Sequence, residues 1–270
     1  MLCKSEATAA SICVGLVCHQ ASLRIDVAES LRHTGRTMLY SLKNVSKIYG
    51  AEPTQVKALK NLTVDIPERK IIVVLGASGS GKSTFLNLLG GMDVPTSGQI
   101  CFRGNDISHF SSKQLTKFRR LTVGFVFQSY NLLPNLNSLE NVAVAASMAK
   151  LPRSVAVEAL TSVGLSDRMK HFPRQLSGGE QQRVAIARGL AKQPRVLLCD
   201  EPTGALDFET GVQVLDVLQR MREHSDTTVI LITHNKDIAK IGDMVITLAS
   251  GEITQIEYND NPLSALEVQW

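Results

Sequence analysis

Gly76-Ala77-Ser78-Gly79-Ser80-Gly81-Lys82-Ser83 is the stretch on which the reading of this chain turns. It satisfies G-x-x-x-x-G-K-[ST] in full, a match whose chance occurrence in a chain of this length is on the order of one per cent. Its flanks supply the context the pattern needs. Ile71–Leu75 is a continuous β-branched run, as in a strand buried on both faces, and Lys82–Leu89 carries Phe85, Leu86 and Leu89 at helical spacing. Glycines between strand and helix let backbone N–H groups converge on a polyphosphate without side-chain collision. The helix start adds unpaired amides and a positive dipole end. Lys82 then reaches the β- and γ-phosphates, and the Ser83 hydroxyl ligates Mg2+. The competing reading is a glycine-rich turn that merely begins a helix.

Outward from that cradle, strands and helices alternate. Residues 38–45 and 62–66 read as short strands and 123–127 as another. A helix-rich portion without strand signals follows, over about 130–175. Next come a helix with Val184, Ala187, Leu190 and Ala191 on one face and a strand at 195–199. A helix with Val214, Val217, Leu218 and Met221 leads to strands at 228–232 and 244–248. Such alternation implies an α/β fold, a mostly parallel sheet covered by helices, with 130–175 as an inserted helical subdomain.

Two further stretches carry chemistry. Val196-Leu197-Leu198-Cys199-Asp200-Glu201 is an apolar run ending in two carboxylates, whose adjacent side chains point different ways at a strand end. Alone they would read as solvated charge; with the cradle, Asp200 holds Mg2+ and Glu201 accepts a proton from an attacking water. In Leu176-Ser177-Gly178-Gly179-Glu180-Gln181-Gln182-Arg183, Ser177 and Glu180 make a capping box. Capping does not call for two glycines in the first turn, where each costs roughly 1 kcal/mol against alanine. A second phosphate-facing helix start accounts for them.

That octapeptide resembles the signature of ATP-binding-cassette (ABC) ATPases, and the resemblance spans about residues 38–255. It implies a P-loop NTPase (RecA-like) fold with an antiparallel β subdomain beside the helical one. It also assigns roles in order. Tyr49 matches the aromatic that stacks on adenine, Gln128 the glutamine that touches Mg2+ or water and senses a membrane partner, Ala205-Leu206-Asp207 the D-loop, and His234 the residue that contacts the γ-phosphate. ATP contacts are implied at Tyr49, Gly76, Ala77, Ser78, Gly79, Ser80, Gly81, Lys82, Ser83, Thr84, Gln128 and His234, with Ser177, Gly178, Gly179 and Glu180 contributed across a dimer. Ser83, Gln128 and Asp200 are implied for Mg2+, and Glu201, His234, Gln128 and Lys82 for catalysis. Two chains are expected to pair head to tail around two ATP molecules. The stretches 89–98, 128–134 and 201–207 resemble the lipoprotein-release, macrolide-export and cell-division branch, although Ala205 stands where that branch usually has asparagine.

Composition bounds the rest. Hydrophobic residues at 44% and charged residues at 20% match an ordinary globular chain, and the net charge of +4 is too diffuse to argue for nucleic acid. The cysteines (Cys3, Cys13, Cys18, Cys101, Cys199) make neither a disulfide framework nor a zinc pattern, which fits a reducing compartment. With no apolar run of spanning length, the chain is expected to be soluble and to sit peripherally on the cytoplasmic face of the cell membrane, driving a separately encoded permease. The rival reading is a regulatory ATPase that transmits force to a membrane partner without moving cargo. Residues 1–37 are expected to be a weakly ordered or dispensable extension, with a membrane-interfacial segment as the rival reading, and 256–270 a C-terminal tail. Lys113, Lys117, Arg119 and Arg120 read as a solvated helix face, or alternatively as a contact with the membrane surface or partner loops.

Overall fold

The computed structural model describes residues 37–269, so the extension expected at 1–37 lies, except for Thr37, outside them. Strands β1 (Met38–Tyr49), β2 (Val56–Pro67), β4 (Ser97–Phe102) and β5 (Asn105–Asp106) form an antiparallel sheet in the order β2-β1-β4-β5. The second sheet holds β3 (Ile71–Leu75), β6 (Val123–Val126), β7 (Val196–Asp200), β8 (Thr228–Thr233), β9 (Met244–Ala249) and β10 (Glu252–Tyr258), in the order β10-β9-β3-β8-β7-β6. Its strands run parallel except β10, which pairs antiparallel with β9. This is the mixed α/β architecture expected of a P-loop NTPase.

The period of two in the central strands divides the interior. Ile71 and Val73 of β3, with Val229 and Leu231 of β8, face one core; Ile72 and Val74, with Ile230 and Ile232, face the other. The second core holds helix α1 (Lys82–Leu89), whose Phe85, Leu86, Leu88 and Leu89 are buried beneath the antiparallel sheet. The first core is covered by helices from the remaining chain. These are α3 (Ser138–Met148) and α4 (Arg153–Ser162), then α5 (Gly178–Leu190) and α6 (Phe208–His224), with the one-turn α7 (Lys236–Ala239) before β9. Burial on both faces explains why β3, β7 and β8 are uninterrupted apolar runs.

Helix α2 (Ser112–Thr122) carries the basic cluster. It buries only Phe118, so most of it is a solvated face, but Arg119 turns inward and donates to the Gly91 carbonyl at 2.5 Å, just past α1. The expected tail is not one. β10 runs through residue 255 to Tyr258, and beyond it Ala265 and Val268 are buried in the first core. Gln219 of α6 fixes that segment, donating to the Leu263 carbonyl and accepting from the Ala265 amide. The alternation in Glu252-Ile253-Thr254-Gln255-Ile256 is mostly polar, which hid this half-exposed edge strand.

Candidate functional site

Parallel strands end on one side of the sheet, so the segments following β3, β6, β7 and β8 gather there. After β3 comes the cradle. Gly79 (φ 77°) and Gly81 (φ 102°) adopt left-handed conformations that other residues reach only with strain. A Cβ on Gly81 would lie 2.6 Å from the Ala58 carbonyl oxygen, and one on Gly76 would lie 2.4 Å from that of Leu248. The loop is therefore wedged between the two sheets at Gly76 and Gly81, where there is no room for a side chain. Lys82 is buried, and its Nζ donates to the Gly76 and Ala77 carbonyls at 2.8 and 2.9 Å. The buried Ser80 hydroxyl has no hydrogen-bond partner among the described residues.

A cavity of about 530 Å³ opens on this loop. Ser78, Gly79, Gly81, Lys82, Ser83 and Thr84 line one side, and Gln128, Asp200 and Glu201 the other. Ser83 interacts with the Asp200 carboxylate across this cavity. Burial raises the Asp200 pKa, the Ser83 interaction opposes this, the Glu201 charge adds to it, and the net direction is upward. A carboxylate, a hydroxyl and an amide oxygen are hard donors of the kind Mg2+ takes, leaving further positions to water or phosphate. No cluster of three or more His, Cys, Asp or Glu exists among the described residues, which argues against an all-protein metal cage.

Glu201 sits at φ 45°, an unfavourable conformation for a glutamate, held by its N–H to the Ile232 carbonyl and by the Gly204 N–H to its own carbonyl. Its carboxylate lies 3.1 Å from His234 Nδ1, and both residues line an adjoining cavity of about 190 Å³ with Leu206 and Asn235. A Cβ on Gly204 would lie 3.0 Å from Gln128 Nε2 and 3.3 Å from Glu201 Oε2, so these two side chains converge above that glycine. Tyr49, the last residue of β1, donates its hydroxyl to Asp93 at 2.9 Å. Lys47 salt-bridges Asp93 at 2.6 Å and lies 4.9 Å from the Tyr49 ring centre.

Ser177, Gly178, Gly179 and Glu180 are placed elsewhere; none lines either cavity. Ser177 caps α5 by accepting from the Glu180 N–H, and Glu180 accepts in return from the Ser177 N–H and from Arg168 Nε. One glycine has a reason that the sequence did not reveal: a Cβ on Gly179 would fall 2.0 Å from Thr210 Cγ2 of α6. Gly178 faces the Tyr130 hydroxyl and Leu206 instead. Sequence reasoning also missed Asp93, Ala58 and Gly251. The Ser250-Gly251 pair was the available signal, a turn between β9 and β10, and its Gly251 N–H donates to the Ser80 carbonyl.

Known proteins with similar sequences and folds place the chain in a family. A family model described as ABC transporter matches residues 59–204. The dimeric structure of the ATP-binding cassette MJ0796 of Methanocaldococcus jannaschii, in a post-hydrolysis state bound to ADP and Pi, superimposes with a TM-score of 0.75. That match has 40% identity and covers 81% of this chain and 98% of that one. The chain belongs to the ABC transporter family and is an ATP-binding, ATP-hydrolysing cassette. Within the family it falls in the LolD/MacB-like branch. The lipoprotein-releasing system ATP-binding protein LolD of Syntrophus aciditrophicus is 43% identical over 219 residues, which is 80% of this chain and 98% of that protein. The macrolide export ATP-binding/permease protein MacB of Pasteurella multocida is 44% identical over 219 residues, but the match covers only 34% of that longer protein.

Proposed function

We propose that this chain pairs head to tail with a second copy around two Mg-ATP and drives a membrane permease from the cytoplasmic face of the membrane. The output would be export or extraction of a lipoprotein, peptide or hydrophobic drug. One observation carries the reading. The cavity at Lys82, Asp200 and Glu201 is bounded by the glycine loop, while the glycine-bearing start of α5, read from the sequence as a second phosphate-facing helix start, contributes no lining residue to it within one chain. A second protomer presenting its Ser177, Gly178, Gly179 and Glu180 completes the cavity of the first.

Within each composite site, the amides of residues 76–84 cradle the phosphates, and Lys82 exchanges its loop carbonyls for phosphate oxygens. Ser83, Asp200 and Gln128 would hold Mg2+, which neutralises charge between the phosphates. Glu201 takes the proton of the attacking water, and His234, through Nδ1, orients that carboxylate; His234 would also contact the γ-phosphate. No covalent intermediate is needed; positioning and charge stabilisation carry the rate. Tyr49 stacks on adenine, its ring held by Asp93. Among the described residues no helix is long and apolar enough to cross a membrane. Leu133, Val144 and Met148, exposed on the helical insert, offer a permease an apolar face.

The test is Glu201→Gln. Light scattering with saturating ATP and Mg2+ should give a dimer that collapses to monomer without nucleotide, alongside near-abolished turnover. A variant that stays monomeric with ATP bound refutes the shared site. Co-purification with a permease and a cargo assay in vesicles then separates transport from force transmission alone.

A further inference from the structure

Helix α5 begins at the Ser177 cap, and eleven residues further on it carries Arg188. The half-buried guanidinium of Arg188 is forked: Nη2 donates to the Tyr130 carbonyl at 2.7 Å and Nη1 to the Asn131 carbonyl at 2.5 Å. No salt bridge engages Arg188 among the described residues, so its charge is spent on main-chain oxygens. Those two carbonyls belong to an unusual turn. Tyr130 (φ 58°) and Asn131 (φ 52°) are consecutive non-glycine residues in the left-handed region, where an aromatic residue is a genuine outlier. Such a turn persists only if something outside it holds it. The near side of the turn leads directly back to Gln128.

The same turn meets α5 a second time. A Cβ on Gly178 would lie 3.0 Å from Tyr130 Oη, so the phenol rests on the first turn of the helix while Arg188 grips the Tyr130 backbone from the last. Lys192, just past the helix, donates to the Val123 carbonyl at 2.6 Å and fastens the start of β6 as well. The segment 123–131 is thus tied to α5 at three points.

We propose that Arg188 is a positioning residue for Gln128: its fork holds the left-handed turn that sets where the Gln128 amide enters the nucleotide cavity. Gln128 and the Ser177 helix start consequently move as one body. This deepens the function proposed above and rests on Gln128 belonging to the nucleotide site.

A double-mutant cycle between Arg188→Gln and Gln128→Ala tests it, with ATPase turnover at saturating Mg-ATP and calorimetric affinity for a non-hydrolysable ATP analogue as readouts. Arg188→Gln should lower kcat at least about tenfold while nucleotide affinity stays within about twofold. In the Gln128→Ala background the same change should cost less than about twofold in kcat, because the residue it positions is gone. Equal losses in both backgrounds, or affinity falling in step with kcat, overturn the inference and leave Arg188 a structural residue. Gln128→Ala turning over at the wild-type rate overturns the underlying assignment of Gln128, and this inference with it. Arg188→Lys, which keeps the charge but not the fork, should give an intermediate kcat; wild-type turnover in that variant also refutes the role. Should Arg188→Gln fail to fold, the cycle is read with Arg188→Lys in its place.

Discussion

Gly179→Ala separates two reasons for a glycine that the sequence alone merges. The added methyl would stand 2.0 Å from Thr210 Cγ2, against about 3.5–4.0 Å for unstrained carbon atoms, so Thr210 must rotate or α5 and α6 must part. Overpacking of this kind costs about 1–3 kcal/mol. Alanine repays up to about 1 kcal/mol in helix propensity, less in a first turn, leaving a net loss of about 0.5–2 kcal/mol. Thr210→Ser deletes the obstructing methyl and nothing else. In that background the clash vanishes and only the propensity gain remains, so the sign reverses and Gly179→Ala becomes neutral or stabilising. Urea unfolding of the four proteins gives a coupling of about 1–3 kcal/mol. ATPase activity should recover together with stability in the double variant, because the added methyl points at residue 210 and not out of the helix start where a partner's nucleotide would approach. Gly179→Ala as stable as wild type, or equally harmful in both backgrounds, refutes the steric reasoning. Turnover that stays depressed in the stable double variant refutes that orientation of the methyl.

Burial and the Arg188 charge push the Lys192 ammonium down to about 8. Between pH 8 and its ordinary 10.5 the unfolded chain binds more protons, so this residue's contribution to stability is poorest below pH 8 and improves as pH rises through that window. Wild type should gain about 1–2 kcal/mol relative to Lys192→Met between pH 7.5 and 9.5 in urea unfolding; a constant gap refutes it. Because the Asp200 carboxyl is raised by burial, Mg2+ binding in mildly acidic buffer should release protons, measured by calorimetry in two buffers of different ionisation heat. Asp200→Asn should abolish that release. Tyr49→Ala should weaken ATP binding by about 1–3 kcal/mol and leave tripolyphosphate binding unchanged, while Tyr49→Phe stays close to wild type. Parallel losses for both ligands would remove Tyr49 from the adenine platform.

Legibility followed contiguity. Ile71–Leu75 and Lys82–Leu89 were readable to the residue, because a run buried on both faces, a glycine break and a helical apolar period adjoin one another. β10 and the first half of β2 are mostly polar edge strands without a clean alternation, and in β10 a register shift between Ile253 and Gln255 breaks the period of two. α2 buries a single side chain and offered little beyond its charges. The cradle, the acidic pair and the Ser177 cap each lie within eight residues. Asp93 is visible only once β1 brings Tyr49 and Lys47 to it from more than forty positions away. Gly179 was read for the right helix start, but its contact with Thr210 depends on how α5 crosses α6, which no local pattern encodes.

The helical insert leaves the sheet after Val126 and rejoins it at Val196, and those two strands are hydrogen-bonded neighbours, with Val126 opposite Cys199. Some seventy residues thus hang from a doorway one strand wide. A module bounded in this way can be traded between cassettes as a single cartridge, but it carries Gln128 and the Ser177 helix start with it, so a new membrane docking face arrives with its own share of the combustion chamber.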